Sequence, residues 1–102
     1  MNNLSIEHLE QELSQLKSAL GSKLAECRVL AGYGKSAQHF GTRSPNVIFN
    51  IEDGRNFPNK STLQYFVELY EIQGRDLVLL QGLHDRGREI KKQIIRRKRG
   101  WK

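Results

Sequence analysis

Asn46, Phe49, Asn50 and Asp53 fall at i, i+3, i+4 and i+7 of the stretch SPNVIFNIEDGRNFP, residues 44–58, so one face of a helix would carry all four. An asparagine amide donates and accepts in one plane, the pattern that adenine N6 and N7 present in a DNA major groove. An exposed Phe49 would suit a thymine methyl. Cations flank the stretch: Arg43 before it, Arg55 and Lys60 after it. A helix lying in a groove brings both its ends near phosphates, where such cations anchor the backbone. The plain alternatives are that Asn46 aids a helix cap, Phe49 packs on a neighbour, and each cation is merely solvated.

This chemistry requires a helix, and VIFNI alone has the composition of a short strand. The flanks decide otherwise. Ser44 suits an N-cap, Pro45 the first helical position, and Asp53-Gly54 a stop. Val47, Ile48 and Ile51 then share the inward face. A strand would bury Asn50 and have no sheet to join.

Other chemistries find little support. His8, His39 and His84 lie in separate segments without metal spacing, and the single cysteine, Cys27, sits at a helical core position as a small hydrophobe. There is no Gly-rich phosphate loop and no nucleophile with a base at motif spacing. No enzyme, cofactor or metal is expected.

The elements around the stretch have helical period. Ile6, Leu9, Leu13, Leu16 and Leu20 recur at 3, 4, 3, 4, an a/d seam with Glu12 at g and Lys17 at the following e. The spacing predicts a helix within residues 1–19 that dimerises through Ile6, Leu9, Leu13 and Leu16; the alternative is a helix covering its own chain's core. Gly21 is expected to interrupt it. A second helix buries Leu24, Cys27, Leu30 and Ala31. A short one, KSAQHF, is capped by Ser36 and buries Ala37 and Phe40 before Gly41. Ser61-Thr62-Leu63-Gln64 reads as a capping box opening STLQYFVELYEI, with Leu63, Phe66, Val67 and Tyr70 inward. RDLVLLQGL uses Leu77, Leu80 and Leu83.

The net charge of +6 is uneven. Residues 86–102 hold nine Lys or Arg against Glu89, a net of +8, whereas residues 1–85 carry about −2. The basicity thus belongs to a tail rather than to the folded part. No signal peptide, membrane span or disulfide is expected, which points to a cytoplasmic protein.

Beyond these readings, LGSKLAECRVL, AQHFG, SPNVIFNIEDGRNFP, STLQYFVELYEI and RDLVLL resemble the lambda-repressor and Cro-type helix-turn-helix family. The strongest match is Ile48-x-x-Ile51-Glu52-x-Gly54-Arg55-x-x-Pro58 followed by Thr62-Leu63. The resemblance covers roughly residues 20–80. It implies an all-α fold, a five-helix domain over residues 20–83 with an extra N-terminal amphipathic helix and a basic C-terminal tail, residues 84–102. It implies Pro45, Asn46, Phe49 and Asn50 as base readers. Lys35, Ser36, Arg43, Ser44, Arg55 and Lys60 are implied as phosphate contacts, and Val47, Ile48 and Ile51 as core. The turn from Gly41 to Ser44 is one residue longer than the family's, and GYGKS lacks the family's usual Gln.

Taken together, these features lead us to expect a transcriptional regulator, a dimeric repressor reading a palindromic double-stranded DNA operator; association with phages and mobile elements comes from the resemblance alone. Arg96, Arg97, Lys98 and Arg99 are expected to add nucleic-acid contacts, with Trp101 available for stacking. Ile90, Ile94 and Ile95 form a thin apolar stripe that a partner could order as a helix. Two other functions compete: an antitoxin-like module with a protein partner, and a non-specific nucleic-acid binder acting through the tail.

Overall fold

The computed structural model describes residues 5–34 and 45–99. Within them lie four α-helices and no strand: α1 (Ile6–Leu30), α2 (Pro45–Glu52), α3 (Lys60–Leu69) and α4 (Gly74–Lys98). The all-helical expectation holds, and VIFNI is helical. The helix expected at KSAQHF, with Ala37, His39, Phe40 and the turn at Gly41, lies outside the described residues, as does Trp101.

Two expected breaks are absent. Gly21 does not end the first helix; α1 runs through it for 25 residues. The missing side chain is used for contact instead, since a Cβ on Gly21 would strike the backbone oxygens of Ile51 and Glu52. Likewise the basic tail is no appendage. α4 continues the last core helix to Lys98, and a Cβ on Gly87 in its middle would strike the Phe57 ring.

α1 and α4 run antiparallel, joined near one end by Lys23–Asp76 at 2.9 Å and near the other by Lys98–Glu10 at 3.0 Å. Between these ends Arg86 donates to Glu12 at 2.9 Å. The apolar stripe of the tail meets the leucine seam of α1: Leu9, Ile90 and Ile94 form a buried cluster, with Leu13 and Leu16 packed against it. Leu9 is fully buried within its own chain and Ile6 is half-buried. An a/d seam states that a helix wants a partner, not whose helix it is. Here α4 is that partner, so Leu9, Leu13 and Leu16 belong to packing within the chain rather than to an open dimer seam, while Ile6 is half-buried outside that cluster.

The larger core joins Leu20, Leu24 and Cys27 of α1, Ile48 and Ile51 of α2, Leu63, Phe66 and Val67 of α3, and Leu80 of α4, with Tyr70 and Ile72. Leu30 and Ala31 are exposed instead of buried. At 100° per residue, Leu30 lies about 120° from Leu24 around the helix, and Arg28 takes the inward place. α3 starts at Lys60 rather than at the expected Ser61 box. Asn59 is its N-cap, accepting from the Thr62 N–H at 2.8 Å, while the Ser61 hydroxyl donates to the same Asn59 oxygen.

Candidate nucleic-acid interface

α2 has eight residues, too few to hold its own shape in water, so its orientation comes from what it touches. Ile48 and Ile51 are buried in the larger core, with Val47 half-buried beside them. Its C-terminal end is tied down by an ion pair. Arg28 Nε donates to Glu52 Oε2 at 2.7 Å, Arg28 Nη2 to Oε1 at 3.2 Å, and Nη1 to the Tyr33 carbonyl at 2.8 Å. Both side chains of the pair are more than nine-tenths buried.

The turn after α2 closes on the Asn50 carbonyl, which accepts from the N–H groups of Arg55 at 2.9 Å and Asn56 at 3.1 Å. Gly54 makes this possible at φ +79°, the left-handed conformation that ends helices. Phe57 then stacks on His84, ring centroids 5.0 Å apart, and His84 Nε2 hydrogen-bonds the Pro58 carbonyl at 2.8 Å. The segment 51–58 is thus fixed against Gly21 and Ser18 on one side and against Gly87 and His84 on the other.

The outward residues of α2 open on a groove of about 460 Å³. Asn46 and Asn50 line it together with Arg55, Asn56 and Asn59, and two cations from the long helices complete it, Lys17 of α1 and Lys91 of α4. No Asp or Glu is among its lining residues. Lys91 Nζ lies 5.6 Å from the centroid of the Phe57 ring, a cation–π distance.

The expected site residues divide. Asn46 is exposed and Asn50 half-buried, both in this groove with the exposed Arg55. Phe49 is not an outward probe, because it is half-buried and packs on the larger core. Lys60 lies apart, in a separate hollow with Gln64, His84 and Arg88. Arg96, Arg97, Lys98 and Arg99 are exposed at the end of α4, with Lys98 paired to Glu10. Lys35, Ser36, Arg43 and Ser44 lie outside the described residues, and so does the side chain of Pro45.

Sequence reading missed Lys17, Lys91, Arg28 and Glu52 as parts of this site. Arg28 did leave a signal. It stands at i+4 from Leu24 on an apolar stripe, where a buried cation demands a carboxylate partner. Nothing local marked Lys17 or Lys91, which meet only because α1 and α4 pair.

Two titratable groups of α1 are shifted. Burial raises the Cys27 thiol, with Asp76 adding to it. Lys23 is raised by its hydrogen bond to Asp76. Among the described residues no group of His, Cys, Asp and Glu could hold a metal ion, and no helix is long and apolar enough to cross a membrane. No protein-family model, curated protein or solved structure matches this chain.

Proposed function

We propose that the protein is a sequence-specific duplex-DNA-binding transcriptional regulator of repressor type, with α2 as the reading helix. The observation that carries this reading is the composition of the groove beside α2. Amides from Asn46 and Asn50 share it with the cations of Lys17, Arg55 and Lys91, and no Asp or Glu lines it, although Asp53 lies 3.9 Å from Arg55. Amides read base edges and cations hold phosphates, so both halves of a DNA contact occur on one concave surface. The helix-turn-helix resemblance of residues 20–80 supports the same reading.

The antitoxin-like alternative needs a leucine seam open to a protein partner, and Leu9 is buried inside the chain. For the same reason a dimer through that seam is no part of the proposal. Non-specific binding through the end of α4 stays as the outcome to exclude.

The test is selection from a randomised duplex library at about 200 mM salt, where non-specific phosphate binding is weak. The full-length protein is run beside Asn46→Ala/Asn50→Ala. Enrichment of one site by the parent protein, lost in the double variant, supports the proposal. Equal recovery of all sequences by both proteins overturns it.

A further inference from the structure

The groove beside α2 does not stop there. Lys17 and Lys91 also line a second groove of about 370 Å³ running between α1 and α4, past Leu13, Ile94 and Ile95 to Lys98. The two lysines therefore stand where the two grooves join, one from each long helix. Neither makes an ion pair with a described carboxylate, whereas Lys23, Arg86 and Lys98 each have one. Lys91 is exposed and Lys17 half-buried. Two cations lining the same grooves without a counter-ion repel each other, and a shared anion relieves that repulsion.

We infer that Lys17 and Lys91 form a phosphate clamp that holds one strand of duplex DNA against the α1–α4 pair while Asn46 and Asn50 face the bases. This inference rests on the function proposed above and extends it to residues outside the helix-turn-helix resemblance. The occupant follows from charge and from what adjoins the clamp. An acidic protein segment would satisfy the lysines but would leave the amides of Asn46 and Asn50 without a reason to share their groove. A phosphodiester backbone bearing bases accounts for both. Lys98, at the far end of the α1–α4 groove and paired to Glu10, is left out of the clamp.

The clamp predicts a particular salt dependence. Each phosphate neutralised by a cation contributes about 0.9 to the slope of log K against log salt. The full-length protein is titrated with its selected duplex by fluorescence anisotropy between about 50 and 300 mM salt, the range in which such slopes are read. Lys17→Gln/Lys91→Gln is expected to lower the slope by about 1.8 and to leave the preferred sequence unchanged. Lys17→Arg/Lys91→Arg keeps both charges and the parent slope, which separates loss of contact from loss of fold. Arg75→Gln/Lys92→Gln removes the same charge from exposed positions that line neither groove, and should change the slope by less than half as much.

An unchanged slope in the Lys17/Lys91 glutamine variant overturns the clamp while sequence-specific binding stands. An equal fall in the Arg75/Lys92 variant also overturns it, showing only diffuse attraction. A parent protein that binds no duplex removes both the clamp and the function on which it rests.

Discussion

Arg28 and Glu52, 24 residues apart, form a two-pronged ion pair with both side chains almost wholly buried, and it fastens the last turn of α2 to α1. Half of such a pair is worse than none, since the charge left behind is buried without compensation. Glu52→Gln or Arg28→Met should therefore lower stability by roughly 3–5 kcal/mol. Arg28→Lys should be nearly as damaging, because one ammonium cannot reach both Glu52 oxygens and the Tyr33 carbonyl. Arg28→Met/Glu52→Leu should recover much of the loss. Urea unfolding of the parent, Arg28→Met, Glu52→Leu and Arg28→Met/Glu52→Leu forms a double-mutant cycle, and additive losses would show that the pair is not a unit.

Three glycines of the long helices make a graded test of close packing. An exposed mid-helix Gly→Ala normally stabilises by about 0.5–1 kcal/mol, as expected at Gly82, where a Cβ meets nothing within 4 Å. Gly21→Ala should have the opposite sign, costing about 1–3 kcal/mol, because its Cβ meets backbone that cannot rotate away. Gly87→Ala should also destabilise, since the Phe57 ring it strikes is held by His84. Shrinking that ring with Phe57→Leu should return part of the loss at Gly87 and none at Gly21. Thermal unfolding of the single and double variants checks all four statements.

Those glycines also show why part of the fold could be read in the sequence and part could not. The inward positions Ile48 and Ile51, the stop at Gly54 and the stripe Leu63, Phe66, Val67 and Tyr70 are local patterns, and each occurs as read. Gly21 reads as a break because propensity knows only the helix it sits in, whereas its role is set by α2. The leucine seam and the isoleucines of the basic tail each raised the question of a partner, and each answers the other. Periodicity cannot reveal that, because it describes one face at a time. The same blindness hid Lys17 and Lys91. The shared face of Asn46 and Asn50 was legible from spacing, but the cations that share their groove arrive from positions 29 and 41 residues away from Asn46 and Asn50 respectively.

Tyr70 links stability to alkaline pH. Its hydroxyl is buried without a hydrogen-bond partner among the described residues. Burial, then the charge of Glu52, pushes its pKa well above the ordinary tyrosine value, with Arg28 opposing. A pKa higher in the folded than in the unfolded state favours folding fully at low pH and loses that effect as pH rises. Stability should fall above about pH 10, the ordinary tyrosine pKa. Lys23, raised by Asp76, acts in the same direction, so the informative quantity is the difference between variants. Tyr70→Phe should be neutral or stabilising by up to about 1–2 kcal/mol at pH 7 and should lessen the alkaline loss. Urea midpoints measured at pH 7 and at about pH 10.5 test this; a parallel loss in both proteins would contradict it.

The reading role proposed for Asn50 separates from its folding role within one residue. Its carbonyl closes the turn after α2, accepting the N–H groups of Arg55 and Asn56, while its amide lines the groove. Asn50→Ala keeps the backbone bonds and removes only the amide, so stability should change by less than about 0.5–1 kcal/mol. An amide that holds one base in a bidentate contact discriminates by about 1–3 kcal/mol, so preference at one base position should relax by roughly 5- to 150-fold. The salt slope should stay that of the parent, because no phosphate contact is lost. Competition binding with single-base variants of the selected duplex, alongside urea unfolding, measures both. If Asn50→Ala binds every variant with the parent's ranking, α2 does not read DNA through this residue; if it unfolds readily, the amide serves the turn rather than the groove.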